Sequence, residues 1–404
     1  MNTIDEQIDI PAVEGFLNSN EGKNADSFNL SEVATVAAAH SAHDMYFSFL
    51  PTILPLLMRN LMLSHAQAGF LLAFSQLPNL VQPLIGALAD RKNLRILVIL
   101  APTFSGMLIT LVGIAPNFGT AAILMLLAGF STACFHSISP TMVSAKAGSR
   151  VGRGMGFFMV GGELGFSIGP LLVVGTIGFL TIRGLPWLMT LGMLASVILF
   201  IRLRNVTTVR AVHTESAQSL FTVLSQMKSM ILPIAAILFI TGFLMANIVN
   251  YMPTFMSHEG AAFALAGASL SVVELGATVG VLLMGLYSDR LGHRNIAIYS
   301  TLASIFFAIG FLSTSGWLRI VLLAGVGLTA FMANPAFLAI IQTHFPTNRS
   351  LATGVYMSSS FILRSVVVVV VGFLIDQFGM RPVFWGSTLA VLLSLPFFFA
   401  LPGD

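Results

Sequence analysis

Two histidines and an aspartate stand together in His40-Ser-Ala-His43-Asp44. In a helix His40 lies one turn before Asp44 on the same face, while His43 points about 100° away. A carboxylate and an imidazole on one face are the parts of a proton relay. Glu163, Glu274 and Arg364 also fall deep inside apolar runs, and His136 adds another titratable group. A charge at mid-membrane costs about 2.5–3.5 kcal/mol on insertion scales, so each must face a cavity, find a partner or titrate. A carboxyl that alternates between neutral and charged forms is what proton coupling needs. Asp44, Glu163, His40, His43 and Glu274 are therefore the candidate proton-coupling residues. Arginine does not deprotonate, so Arg364 requires an anion: Glu163, Glu274, Asp44 or a substrate carboxylate or phosphonate. Each of these groups has a plainer reading too, as a satisfied polar contact between helices.

The elements that must hold these residues follow from composition. Of 404 residues, 56% are hydrophobic and only 9% charged, against about 25% charged in an average soluble protein. Such a chain cannot cover a water-facing surface, which excludes an ordinary soluble enzyme and a disordered scaffold. With Cys134 as the single cysteine, a disulfide scaffold is excluded as well. Crossing a bilayer takes about 20 apolar residues. Twelve runs qualify, at 33–58, 66–89, 95–115, 119–142, 153–179, 184–203, 230–257, 262–287, 295–314, 317–341, 350–375 and 381–401. They are long and continuous and lack the alternation of a barrel strand, so helices are expected. With the N-terminus inside, fourteen Lys and Arg fall in cytoplasmic segments and four outside (Arg59, Arg183, Arg319 and Arg381). The bias places both termini in the cytoplasm of a multi-pass cell-membrane protein. Residues 1–32 hold seven acids and one base and read as a disordered acidic cytoplasmic tail. Two six-helix bundles are expected at 33–203 and 230–404, joined by a cytoplasmic linker at 204–229.

The halves carry related landmarks. Gly86-Ala-Leu-Ala-Asp90-Arg91-Lys-Asn-Leu-Arg95 follows the second span, and Gly285-Leu-Tyr-Ser-Asp289-Arg290-Leu-Gly-His-Arg294 follows the eighth at an offset of 199 residues. Gly156 and Gly354 near the starts of spans five and eleven repeat at 198. Matching offsets argue for an internal duplication. The first of these segments resembles the cytoplasmic loop signature of the major facilitator superfamily, and the second sits where that family repeats it. The resemblance covers about residues 33–401. It implies an all-α membrane protein of twelve transmembrane helices in two pseudo-symmetric six-helix bundles, working by alternating access. Gly165-Phe-Ser-Ile-Gly169-Pro170 resembles the antiporter signature of the same superfamily, with Val173-Val174 in place of its following glycines. The loop residues Gly86, Asp90, Arg91, Arg95, Gly285, Asp289, Arg290 and Arg294, with Gly165, Gly169 and Pro170, are thereby implicated in conformational gating. The basic clusters would hold the two bundles together in one state and release them in another.

A narrower resemblance, to the fosmidomycin-resistance branch, rests on His40-Ser-Ala-His43-Asp44, Phe135-His136 and Gly161-Gly162-Glu163-Leu164-Gly165. Two departures are Glu163 where that branch commonly has Asn and Ser137 where it has Pro. The family's cavity-lining spans make His136, Gln76, Asn79, Asn247, Asn250 and Asn334 candidate substrate contacts beside Arg364. They also bring spans five and eight together, and with them Glu163 and Glu274. No phosphate-cradling G-x-x-x-x-G-K-[ST] loop, nucleophile elbow or metal-ligand spacing is present, so no enzyme activity, cofactor or metal is expected. Nucleic acid is not expected either, since the bases sit in short loops between apolar spans. A monomer exchanging a small, drug-like or anionic compound for protons is the leading expectation, with export as its direction. Proton-coupled uptake of an organic anion, nutrient or metal chelate is the alternative, and a non-transporting receptor or assembly factor on the same fold is a third.

Overall fold

The computed structural model describes residues 28–89, 91–148, 150–203, 220–345 and 349–401. Every regular element among them is helical. The first membrane helix, α1, runs through Leu30–Asp44, Met45–Ser48 and Phe49–Leu61. Eleven more helices are long and apolar enough to cross a membrane: α2 (His65–Ala89), α3 (Arg95–Val112), α4 (Phe118–Ala147), α5 (Gly152–Leu180), α6 (Ile182–Arg202), α7 (Met227–His258), α8 (Phe263–Gly285), α9 (His293–Ser313), α10 (Gly316–His344), α11 (Ala352–Phe378) and α12 (Met380–Phe399). Each coincides with one expected span.

Two expected boundaries move. Helix already begins at Leu30, inside the segment assigned to the tail, because the Asn29 side chain caps it by accepting from the Glu32 N–H at 3.1 Å. Lys146 also pairs with Glu32 at 2.8 Å. The helix leading into α7 starts at Leu220, so 220–229 of the expected linker is helical. Lys228 interrupts the apolar run there, but a single lysine is a good helix former. Residues 1–27 of the tail and 204–219 of the linker lie outside the described residues, as does Asp90.

Prolines set the local irregularities. Pro51 and Pro253 cannot donate the backbone bond of a regular helix. Just ahead of them α1 tightens into a 3₁₀ turn at Met45–Ser48, and α7 widens into a π turn at Asn247–Tyr251. Both halves thus interrupt their first helix at mid-membrane.

The duplication is visible in the packing. A Cβ on Gly129 of α4 would strike the Ser75 carbonyl of α2, and one on Gly327 of α10 would strike the Val273 carbonyl of α8, both residues displaced by 198. Arg95 at the start of α3 donates to the Leu203 carbonyl at 3.2 Å, and Arg294 at the start of α9 donates to the Leu401 carbonyl at 3.3 Å. Each arginine thereby satisfies an orphan carbonyl at the end of the last helix of its own bundle. In this conformation both contacts lie within a bundle.

Between the bundles α2 packs on α11 and α5 on α8. At the end distant from the basic loops these helices are pressed together: a Cβ on Gly372 of α11 would meet the His65 carbonyl, and one on Gly69 of α2 would lie 2.8 Å from the Val368 carbonyl. At the loop end, Gly86, Gly156, Gly285 and Gly354, one on each of the four helices, have no described neighbour within 4 Å of such a position. The molecule is closed at one end and splayed at the other.

Candidate functional site

Helix periodicity puts His40 and Asp44 on one face, and packing builds the rest around them. His40 Nε2 lies 3.0 Å from Asp44 Oδ2, and His136 Nε2, from α4, lies 3.2 Å from Asp44 Oδ1. Asp44 and His40 are each only 4% exposed, so the carboxyl has exchanged water for imidazoles. His40 is fixed from both sides: its Nδ1 is 2.7 Å from the Phe158 carbonyl of α5, and its ring stacks on Phe158 at 3.9 Å between centroids. Gly162 leaves the room for this ring, since a Cβ there would lie 2.6 Å from His40 Cε1. His43 turns the other way, as its spacing predicts. Its ring stacks on Phe135 at 4.4 Å and its Nδ1 meets the Ser105 hydroxyl at 3.2 Å, which leaves Nε2 at 3.9 Å from Asp44. Ser105 donates onward to Ser131 at 3.0 Å. Three buried side chains of α1 and the part-exposed His136 of α4 therefore share one cluster.

A seam of glycines holds α1 in this position. Side chains at Gly161, Gly165 or Gly169 of α5 would strike the α1 backbone at Ala37, Ser41 and Met45. The four-residue spacing of a close helix contact is met along both partners. Pro170 is buried beside Gly169. Gly165, Gly169 and Pro170 thus lie where the helix bearing Glu163 grips the helix bearing Asp44.

Glu163 sits on the helix that packs against both α1 and α8. It lies within electrostatic reach of Asp44, His40 and Arg364, and Glu274 within reach of Glu163 and Arg364. Glu274 is 2% exposed and its backbone carbonyl accepts from the Thr278 hydroxyl at 2.9 Å. The expected proximity of Glu163 and Glu274 across the bundles is what the packing of α5 on α8 produces. Arg364 stands opposite on α11, exposed, with no hydrogen bond or close ion pair among the described residues. With Asn334 it lines a cavity of about 40 Å³ whose other polar walls are Thr241, Thr301, Ser304 and Ser360. That is room for a few waters, and no acidic side chain lines it.

The other candidates scatter. Gln82 donates to Asn79 at 2.8 Å on α2, and Gln76 lies half-buried a turn earlier. Asn250 is half-buried in the π turn. Asn247 is fully buried, and neither of its amide atoms has a hydrogen-bond partner among the described residues, so no substrate reaches it in this conformation. Arg91 and Arg290 are exposed at the loops, and nothing is described of the Asp289 side chain. His136 joins the Asp44 cluster instead of standing apart as a substrate contact. A separation of 92 residues hides that pairing in the sequence, and its signal is the Phe135-His136 dipeptide.

Ligand atoms of His40, Asp44 and His136 lie within 4.8 Å of one another, as metal ligands would. Each nitrogen also approaches its own carboxylate oxygen, His40 Nε2 to Oδ2 and His136 Nε2 to Oδ1. The arrangement is an acid–base cluster in which His136 Nε2 is hydrogen-bonded to Asp44, while the buried His40 Nε2, at ion-pair distance, and His43 Nε2 have no hydrogen-bond partner among the described residues.

Known proteins share this architecture. The family model described as Major Facilitator Superfamily matches residues 36–367 and 234–404. The chain is 23% identical over 368 residues to the fosmidomycin resistance protein of Escherichia coli (strain K12), covering 90% of this chain and 91% of that one. It is 22% identical over 381 residues to the uncharacterized MFS-type transporter YfnC of Bacillus subtilis (strain 168), covering 91% and 92%. Among solved structures, a bacterial homolog of the human lysosomal transporter Spinster, inward-facing and unoccupied, superposes with a TM-score of 0.74 at 15% identity, covering 91% of this chain and 96% of that one. A D-xylose-proton symporter superposes with 0.70 at 15%, covering 92% and 97%. Twelve apolar helices, a repeated six-helix bundle and a family match over most of its length agree: the chain belongs to the major facilitator superfamily of membrane transporters.

Proposed function

We propose that this transporter is a secondary exporter in which proton entry drives a small compound out of the cell. One observation carries the reading: a carboxyl at mid-membrane, Asp44, is approached on both oxygens by imidazole nitrogens, while two further carboxyls, Glu163 and Glu274, lie within electrostatic reach of Arg364 where the bundles adjoin. Groups so arranged can take up and pass protons at the point about which the bundles rock. In the orientation set by the Lys and Arg bias the basic loops and both termini are cytoplasmic, so the splayed end opens inward. The loop-end glycines Gly86, Gly156, Gly285 and Gly354 then become the close contact of the opposite state. Likeness to the fosmidomycin resistance protein supports export and a phosphonate-like cargo. No cofactor is required, and a monomer in the bilayer suffices.

Arg364 supports a second reading, uptake of an organic anion together with protons. Protonating Glu163 or Glu274 releases Arg364 from a competing carboxylate, so a proton and a substrate anion favour each other's binding, and the effect is reciprocal.

The test is flux in proteoliposomes under an imposed pH gradient, with fosmidomycin and other small anions as first substrates. Asp44→Asn is expected to abolish gradient-driven flux while leaving a monodisperse protein. Export that continues undiminished without any ion gradient rejects the coupling. Arg364→Ala is expected to weaken anions more than neutral compounds, and equal losses would reject its substrate role.

A further inference from the structure

We propose that Asp376, His65 and Tyr251 form a proton-released latch that closes the loop-distal end of the transporter. The first turn of α2 has three N–H groups without helical partners. Ser64 accepts one from Gln67 at 3.1 Å within its own chain segment. The other two belong to the opposite bundle: His65 N–H donates to Asp376 Oδ1 and Ala66 N–H to Asp376 Oδ2, both at 2.9 Å, from the last turn of α11. His65 Nδ1 lies 2.8 Å from the same Oδ1. The Tyr251 hydroxyl of α7 lies 3.1 Å from both the His65 and Val368 carbonyls and can donate to either. Gly69 and Gly372 permit this approach, since a Cβ on either would sit 2.8 Å from the Tyr251 hydroxyl.

A carboxylate suits this position because it accepts on both oxygens and its charge is favoured at a helix N-terminus. A proton on Oδ1 or Oδ2 removes that charge and sets a hydrogen against an N–H donor. The closed form therefore belongs to the carboxylate and the open form to the acid. Water can deliver the proton, because the His65 and Asp376 side chains are 25% and 24% exposed, unlike Asp44 at 6%. Among the described residues the titratable groups facing Asp376 are His65 from α2 and Tyr251 from α7. Arg381, near the start of α12, is engaged by Glu259 at 3.0 Å and the Leu312 carbonyl at 3.3 Å. The latch answers to the compartment beyond the closed end, separately from the central cluster.

Spin labels at Met62→Cys and Phe378→Cys, both exposed at that end, in a Cys134→Ser background report the gap by pulsed electron resonance without any substrate. The expected result is a short distance at neutral pH that gives way to a longer one only below the ordinary carboxylate range of about pH 4, since the bonds made in the closed form favour the carboxylate. Asp376→Asn is expected to shift the closed-to-open ratio at neutral pH by about tenfold or more and to flatten the pH response. Tyr251→Phe should shift it less, and it serves where Asp376→Asn does not fold. A neutral-pH distribution unchanged in both variants overturns the latch. So does a pH response that survives Asp376→Asn, or one that Asp44→Asn abolishes, which would locate the response in the central cluster.

Discussion

The two seams between the bundles occupy equivalent positions in the duplicated fold and are filled differently. Gly69 of α2 and Gly267 of α8 are 198 residues apart, as are Val174 of α5 and Gly372 of α11. On the α2–α11 side both partners are glycine, and the contacts are to backbone and hydroxyl: the Val368 carbonyl, the His65 carbonyl and Tyr251. On the α5–α8 side Gly267 meets the side chains of Val174 and Thr52. A seam of hydrogen bonds to fixed backbone is either made or broken. A seam of aliphatic side chains tolerates small sliding motions. The ionisable pair, Glu163 and Glu274, lies on the sliding side, and the Asp376 contact on the other. Under the proposed function, closure and coupling fall on opposite sides of the pseudo-two-fold axis.

The largest expected effect tests that division. Glu163→Gln with Glu274→Gln should cut the dependence of substrate flux on the pH gradient by about a hundredfold, while the label distance between α2 and α11 stays at its wild-type value. Movement of that distance would join the two seams into one device. Next in size is Gly354→Leu at the splayed end. A Cβ at Gly354 meets nothing within 4 Å among the described residues, so substrate binding from this side should be retained within about twofold. Turnover should fall by about tenfold or more, because overpacking of 1–3 kcal/mol would oppose the state that closes there. Equal turnover would mean that α11 does not approach its neighbours at Gly354.

Much of the fold is legible in the sequence because lipid imposes one rule on every span: apolar length, with bases at the ends. The His40–Asp44 contact is legible for a similar reason, since periodicity alone brings i and i+4 together. His136 is not, because which helix lies beside α1 is a matter of tertiary packing. The latch was hidden by its position. His65 and Asp376 stand just outside the expected spans 66–89 and 350–375, where polar residues read as boundary punctuation, and their partners are mainly backbone N–H groups that every sequence supplies. The helix over 220–229 is not legible, because hydropathy registers the lysine and not the helix that continues through it.

The smaller effects sharpen the comparison directly. At the tight seam, a Cβ introduced by Gly372→Ala would meet the His65 carbonyl and carbonyl carbon, which cannot move without shifting α2. The closed population should fall by about tenfold, read by the same label pair, at an overpacking cost of about 1–3 kcal/mol. At its counterpart, Gly267→Ala places a Cβ 2.5 Å from Val174 Cγ2 and 3.1 Å from Thr52 Cγ2. Both are ends of side chains on neighbouring helices, and a rotamer change with a slight displacement relieves them at about 0.5–1.5 kcal/mol. Labels placed across α5 and α8 should therefore show a change below about tenfold, smaller than that of Gly372→Ala. If the two alanines act equally, the backbone contact of α2 on α11 carries no more of the closed state than the aliphatic contact of α5 on α8, and the two seams are equivalent in energy as well as in sequence position.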